Sequence, residues 1–129
     1  MTRLVNDTRK ARIFVVEDDL VLTKILVWRL EKLGYSVCGT SADGKGAIEE
    51  ILEKKPDLVL LDIELGGQID GIEIGSYLCN NTGIPFIYLT SHTDGIYIAR
   101  AKETVPEGYI LKPCEDEQLR IAIQMAIHE

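Results

Sequence analysis

The run Leu58-Val59-Leu60-Leu61-Asp62 constrains this chain more than any other feature. Its four apolar residues present hydrocarbon to both faces of a strand, which suits the middle of a parallel sheet covered by helices rather than an edge. Further strand candidates lie at Ile13 to Glu17, Ser36 to Thr40, Pro85 to Thr90 and Gly108 to Leu111. Segments with helical spacing lie between them, near residues 20–33, 43–54, 70–80, 94–103 and 115–127. Leu22, Ile25, Leu26, Leu30 and Leu33 form one apolar stripe, with an acidic residue at 18 or 19 to cap its start and Gly34 to follow its end. Leu119, Ala122, Ile123, Ala126 and Ile127 form another on the last helix. Five strands alternating with five helices predict an α/β, doubly wound parallel sheet, whose common strand order is 2-1-3-4-5.

A chain of 129 residues holds one such domain. Residues 1–10 are polar and aperiodic and read as a flexible arm, with 11–129 as the domain. No output domain follows the fifth helix in this sequence. Acidic residues exceed basic ones by 21 to 14, a net charge of −7, which argues against direct nucleic-acid binding because that needs clustered Lys and Arg. Arg3, Arg9, Lys10 and Arg12 read as a solvated arm, not a phosphate patch. No apolar run reaches the roughly 20 residues that span a bilayer, and no signal core opens the chain, so the expected compartment is cytoplasmic. Cys38, Cys79 and Cys114 are odd in number and lack metal spacing, which fits reduced thiols. Gly44-Lys45-Gly46 lacks the spacing of a nucleotide-binding phosphate loop.

Ligands of open α/β sheets bind at the carboxyl ends of the strands. Strand one runs into Glu17-Asp18-Asp19, strand three ends in Asp62, strand four in Thr90, and strand five leads into Lys112-Pro113. The expected order puts strand three between strands one and four. Asp62 is then flanked by the acidic pair and Thr90, while Lys112 starts about 10 Å away, within largely bridgeable reach of a lysine side chain. Like charges 4 Å apart cost about 4 kcal/mol at an effective dielectric of 20, so three converging carboxylates call for a cation or a proton among them. Hard oxygen donors with open positions suit Mg²⁺. A carboxylate beside Mg²⁺, an ammonium and a hydroxyl is equipped to attack phosphorus and form an acyl phosphate.

The segments Val15-Val16-Glu17-Asp18-Asp19, Leu60-Leu61-Asp62, Asp70-Gly71, Leu89-Thr90-Ser91 and Gly108-Tyr109-Ile110-Leu111-Lys112-Pro113, in this order, resemble the receiver domain of two-component response regulators, the CheY-like, flavodoxin-like fold. The likeness covers about residues 11–127. It implies that Asp62 accepts a phosphoryl group from the phosphohistidine of a sensor histidine kinase or phosphotransfer protein. It further implies Asp18 as a direct Mg²⁺ ligand, Glu17 as its partner through water, and Asp62 and the backbone carbonyl of Glu64 as further ligands. Thr90 and Lys112 would hold phosphoryl oxygens, Tyr109 would change rotamer as Thr90 moves, and Lys112-Pro113 would be cis. Asp19 reads instead as a helix cap. Glu64 and His92 stand where the family tunes the lifetime of the phosphoryl group, and both can hydrogen-bond an attacking water.

The chain departs from the family in the loop Ile63-Glu64-Leu65-Gly66-Gly67-Gln68-Ile69-Asp70, which lacks the usual proline, and at Cys114, where an aromatic is common. Two rival readings are an aspartate-dependent phosphohydrolase, suggested by Asp62-Ile63-Glu64 but lacking residues for a cap, and a receiver-like binding module that is never phosphorylated. The reading adopted is a phosphoacceptor that acts on no outside substrate but catalyses its own phosphorylation and hydrolysis. It is expected as a monomer or a phosphorylation-dependent dimer, with Ile121, Met125 and Ile96 as a candidate docking face and the downstream effector unidentified.

Overall fold

The computed structural model describes residues 10–65, 69–91 and 95–127. Apart from Lys10, the expected arm lies outside the described residues, as do Gly66, Gly67, Gln68 and His92. The elements follow as β1 (Arg12–Val16), α1 (Leu20–Lys32), β2 (Ser36–Ser41), α2 (Gly44–Lys54), β3 (Leu58–Asp62), α3 (Gly71–Asn81), β4 (Phe86–Thr90), α4 (Gly95–Lys102), β5 (Gly108–Leu111) and α5 (Asp116–Ile127). The strands form one parallel sheet in the order β2-β1-β3-β4-β5, as the alternation predicts. Strand and helix ends differ from the sequence expectations by one residue in several places. Glu17, for example, lies one residue past β1, yet its N–H still donates to Ser41 O at 3.0 Å.

The period-2 alternation of the strands divides the core into two layers. Ile13, Val15, Leu58, Leu60, Ile87 and Leu89 pack with Leu26 and Leu30 of α1 and Leu119 and Ile123 of α5. Phe14, Val16, Val59, Leu61, Phe86 and Tyr88 pack on the opposite face with Ile51 of α2 and Ile74 and Leu78 of α3. All five residues of β3 are buried, which is why its apolar run carries no polar alternation.

Helix ends follow local chemistry. The Asp19 carboxylate accepts from the N–H groups of Val21 and Leu22 at 2.9 and 3.1 Å, so Asp19 is the cap of α1. Gly34 ends that helix at φ 100°, a conformation an L side chain rarely adopts. Asp43 caps α2, which accounts for Gly44-Lys45-Gly46 as an ordinary helix start. Asp70 and Glu73 form a reciprocal capping box on α3. Beside Phe14, β2 carries an irregularity: Ile13 pairs with Val37 but Phe14 with Gly39, leaving Cys38 as the extra residue. A side chain at Gly39 would put its Cβ 2.7 Å from the Phe14 ring.

Candidate functional site

The same alternation that sorts the core sorts the polar groups at its carboxyl edge. Continuing the parity of Ile13, Val15, Leu58, Leu60 and Ile110 brings Glu17, Asp62 and Lys112 to the face covered by α1 and α5. Thr90 carries the parity of Phe86 and Tyr88, and Tyr109 is the register partner of Tyr88, so both belong to the opposite face.

Asp62 is 3% exposed, Glu17 3% and Thr90 1%, whereas Asp18 is exposed. Lys112 Nζ lies 3.4 Å from Asp62 Oδ2 and 3.3 Å from Glu17 Oε1, bridging the two buried carboxylates. The second Glu17 oxygen accepts from the Asp19 N–H at 3.1 Å, and Asp62 Oδ1 accepts from the Glu64 N–H at 3.0 Å. Carboxylate oxygens of Glu17, Asp18 and Asp62 all fall within 4.8 Å of one another.

Burial, with Glu17 alongside, pushes the Asp62 carboxyl from 3.8 up to about 7, opposed by the Glu64 N–H and the Lys112 ammonium. Burial pulls the Lys112 ammonium down, but Asp62 and Glu17 more than offset it and its pKa rises. One ammonium thus stands among three acids. The donor set is hard, oxygen-only and open on the Asp18 side, which fits a small divalent cation that keeps part of its water shell.

Glu17, Asp18, Asp62, Thr90 and Lys112 lie at or just past the carboxyl ends of β1, β3, β4 and β5, at one rim of the sheet. Lys112-Pro113 is cis, as the resemblance implies. The Glu64 side chain is exposed, and Ser91 Oγ donates to its Oε1 at 3.3 Å across the ends of β3 and β4. Tyr109 is 38% exposed and stacks on Tyr88, with ring centroids 5.9 Å apart. Gly71 has a role that motif reading does not supply. Its backbone lies against the end of β3, its N–H donates to Ile63 O at 3.1 Å, and a Cβ there would come within 1.9 Å of Asp62 O.

The family model for the response regulator receiver domain matches residues 13–124. This chain belongs to that family. The receiver domain is similar to the DNA-binding response regulator MtrA of Mycobacterium tuberculosis, at 35% identity over 113 residues, 88% of this chain and 49% of MtrA. It also resembles the transcriptional regulatory protein PdtaR of the same organism, at 29% identity, with 90% of this chain and 56% of PdtaR covered. The chain therefore spans about half the length of these curated relatives. Among solved structures, the signal receiver domain of a modulated diguanylate cyclase from Desulfovibrio desulfuricans G20 matches with TM-score 0.88 and 36% identity, covering 93% of this chain and 95% of that one. The BeF3-activated receiver domain of Klebsiella pneumoniae RstA matches with TM-score 0.84 and 30% identity, covering 92% and 99%.

Receiver domains are signalling modules that bind Mg²⁺ at an acidic pocket, and Glu17, Asp18 and Asp62 form such a cluster here. The expectation that nucleic acid is no direct partner gains no support from relatives that are themselves DNA-binding response regulators. No described helix is long and apolar enough to cross a membrane.

Proposed function

We propose that this receiver domain accepts a phosphoryl group on Asp62 from the phosphohistidine of a sensor histidine kinase or phosphotransfer protein, and passes the signal on by a change of conformation. The observation that carries the reading is the Asp62 carboxylate: buried at the carboxyl end of the central strand, in contact with Lys112 and grouped with two more acids. Mg²⁺, held by Asp18, Asp62, the backbone carbonyl of Glu64 and, through water, Glu17, would neutralise phosphoryl oxygens and the acidic cluster.

In the transfer, an Asp62 oxygen forms the new P–O bond while the P–N bond of phosphohistidine breaks and its electron pair returns to the imidazole. The Lys112 ammonium balances negative charge that builds on the phosphoryl oxygens, and the Thr90 hydroxyl donates to one of them. In the family-implied switch, Thr90 moves toward that oxygen and Tyr109 follows; both lie on the face opposite the α1–α5 layer. The modified state shifts a pre-existing equilibrium that an effector reads. The domain acts on no outside substrate, and it works in the reducing cytoplasm, in keeping with three free cysteines.

A partner has apolar surface to meet at α1, where Leu20, Val21 and Trp28 are exposed and where Leu22 and Ile25, also exposed, line a cavity of about 520 Å³ together with Glu17 and Lys112. Exposed Ile121 and Met125 on α5 offer a second face for an effector or for a dimer formed on phosphorylation; the side chain of Ile96 is outside those described.

In this reading Glu64 and His92 act on the water that hydrolyses the acyl phosphate and set its lifetime. Glu64→Ala and His92→Ala are each expected to change the dephosphorylation rate, and unchanged rates in both would remove this role. The reading as a whole is tested by incubation with acetyl phosphate and Mg²⁺, followed by intact mass. One phosphoryl adduct is expected on the native chain and none on Asp62→Asn. Turnover of generic phosphomonoesters would favour the hydrolase reading instead.

A further inference from the structure

Lys112 follows an edge strand of the sheet. β5 is an edge strand whose only sheet partner is β4, and the Lys112 N–H to Thr90 O bond of 2.8 Å is the last rung before the chain leaves for α5. Among the described residues, the following loop packs Cys114 on the α1–α5 apolar layer and takes its polar contacts from α1. Arg29, in the last turn of α1, donates from Nη2 to Cys114 O at 2.8 Å and from Nε to Asp116 Oδ1 at 2.6 Å. Lys32 of the same helix reaches the other Asp116 oxygen at 3.2 Å. The Glu115 N–H bond to Gln118 Oε1, 2.9 Å long, stays within the start of α5 and ties the loop to nothing else.

The Arg29 side chain is only 20% exposed, and its planar fork takes a carbonyl and a carboxylate together, which a lysine's point charge does not do with fixed geometry. The opposite end of α1 is anchored to the acids. Asp19 caps it, and the Asp19 N–H holds Glu17 Oε2. About 14 Å of helix therefore connects the carboxylates at one end to the loop of the ammonium at the other.

We infer that Arg29 is a positioning residue for phosphoryl transfer: by clamping Cys114 and Asp116 to α1 it sets the position of Lys112 relative to Asp62. It touches neither Asp62 nor a phosphoryl group and acts through Lys112 alone. The inference rests on the reading of Asp62 as acceptor and adds what holds its cationic partner in place. Misplacement of a charge-stabilising group by even an ångström slows such steps severely, so losing the clamp is expected to cost on the order of tenfold in rate.

The test uses the native chain, Arg29→Met and Arg29→Lys, phosphorylated by acetyl phosphate with Mg²⁺, a small donor that needs no protein docking at α1. Folding constants from urea titration are measured for Arg29→Met, Lys112→Ala and the double variant. Both Arg29 variants are expected to lose about tenfold in phosphorylation rate, because lysine does not restore the fork. The fold-losses in the folding constant are expected to combine to less than their product, since residues acting through a shared loop couple whereas independent sites do not. A native rate in Arg29→Met, or folding constants that simply multiply, overturns the inference. If Arg29→Met does not fold, Asp116→Ala removes the carboxylate half of the clamp from its exposed side, and a native phosphorylation rate in it overturns the inference. Absence of phosphorylation in the native chain would overturn the acceptor reading instead, while the folding cycle would still report on the clamp.

Discussion

Gly71 and Asp62 are in backbone contact: a Cβ on Gly71 would lie 1.9 Å from the carbonyl oxygen of Asp62 and 2.8 Å from its carbonyl carbon. The obstacle is main chain at both points, so no side-chain rotation relieves it. Gly71→Ala is expected to push α3 off the end of β3. The loss of stability should be about 1–3 kcal/mol, and Gly71 is the first residue of α3, where alanine recovers little of its helix-interior advantage. Urea titration checks the stability, and the acetyl phosphate rate should fall in the same variant because the acceptor's backbone shifts with the helix.

A second contact of this kind sits under α4. The Tyr88 ring is fully buried, and its hydroxyl lies 2.6 Å from Thr104 Oγ1, whose own proton goes to Ala101 O at 2.7 Å; Tyr88 is therefore the donor. Burial pushes the Tyr88 phenol up to about 12, so it stays protonated. Space for this hydroxyl comes from Gly75, where a Cβ would stand 2.0 Å from it. Gly75→Ala is expected to destabilise the native chain by about 1–3 kcal/mol, and Tyr88→Phe alone by about 1 kcal/mol. In the Tyr88→Phe background the Gly75→Ala cost should shrink, because the nearest obstructing atom is gone. Equal costs of Gly75→Ala in both backgrounds would refute the pairing.

The acidic cluster carries a cost that a cation or a lost charge should lift. Without Mg²⁺, Asp62→Asn is expected to raise stability by roughly 2 kcal/mol, since it removes one of two buried, adjacent carboxylates. Mg²⁺ at about a hundred times its dissociation constant is expected to stabilise the native chain by about 2.7 kcal/mol. Asp18→Ala should abolish most of that gain. Thermal unfolding with and without Mg²⁺ checks all three, and a Mg²⁺ gain undiminished in Asp18→Ala would contradict the ligand assignment.

How far the chain could be read beforehand follows from the kind of signal each residue leaves. Glu17, Asp62 and Lys112 stand out because each interrupts or follows an apolar strand, and strand order then brings them together without knowledge of any distance. The run Leu58–Asp62 announces the central strand for the same reason. Gly71 shows in the sequence only as part of the Asp70-Gly71 pair and Gly75 not at all: their importance lies in what a missing Cβ allows 9 and 13 positions away, which only packing reveals. Arg29 looks like an ordinary charge in the last turn of an amphipathic helix, and its partners Cys114 and Asp116 are 85 and 87 residues distant in sequence. The irregularity at Cys38 is likewise hidden, since it appears only in the pairing of β1 with β2.

The central claim is that Asp62 itself receives phosphorus, and locating the modified residue tests it most directly. After treatment with acetyl phosphate and Mg²⁺, borohydride reduction converts an aspartyl phosphate to homoserine, which peptide mass spectrometry assigns to a position. The account requires homoserine at residue 62, formed only with Mg²⁺ and absent without the phosphodonor. Modification at any other residue, or none at residue 62 under conditions that saturate the metal site, would contradict it.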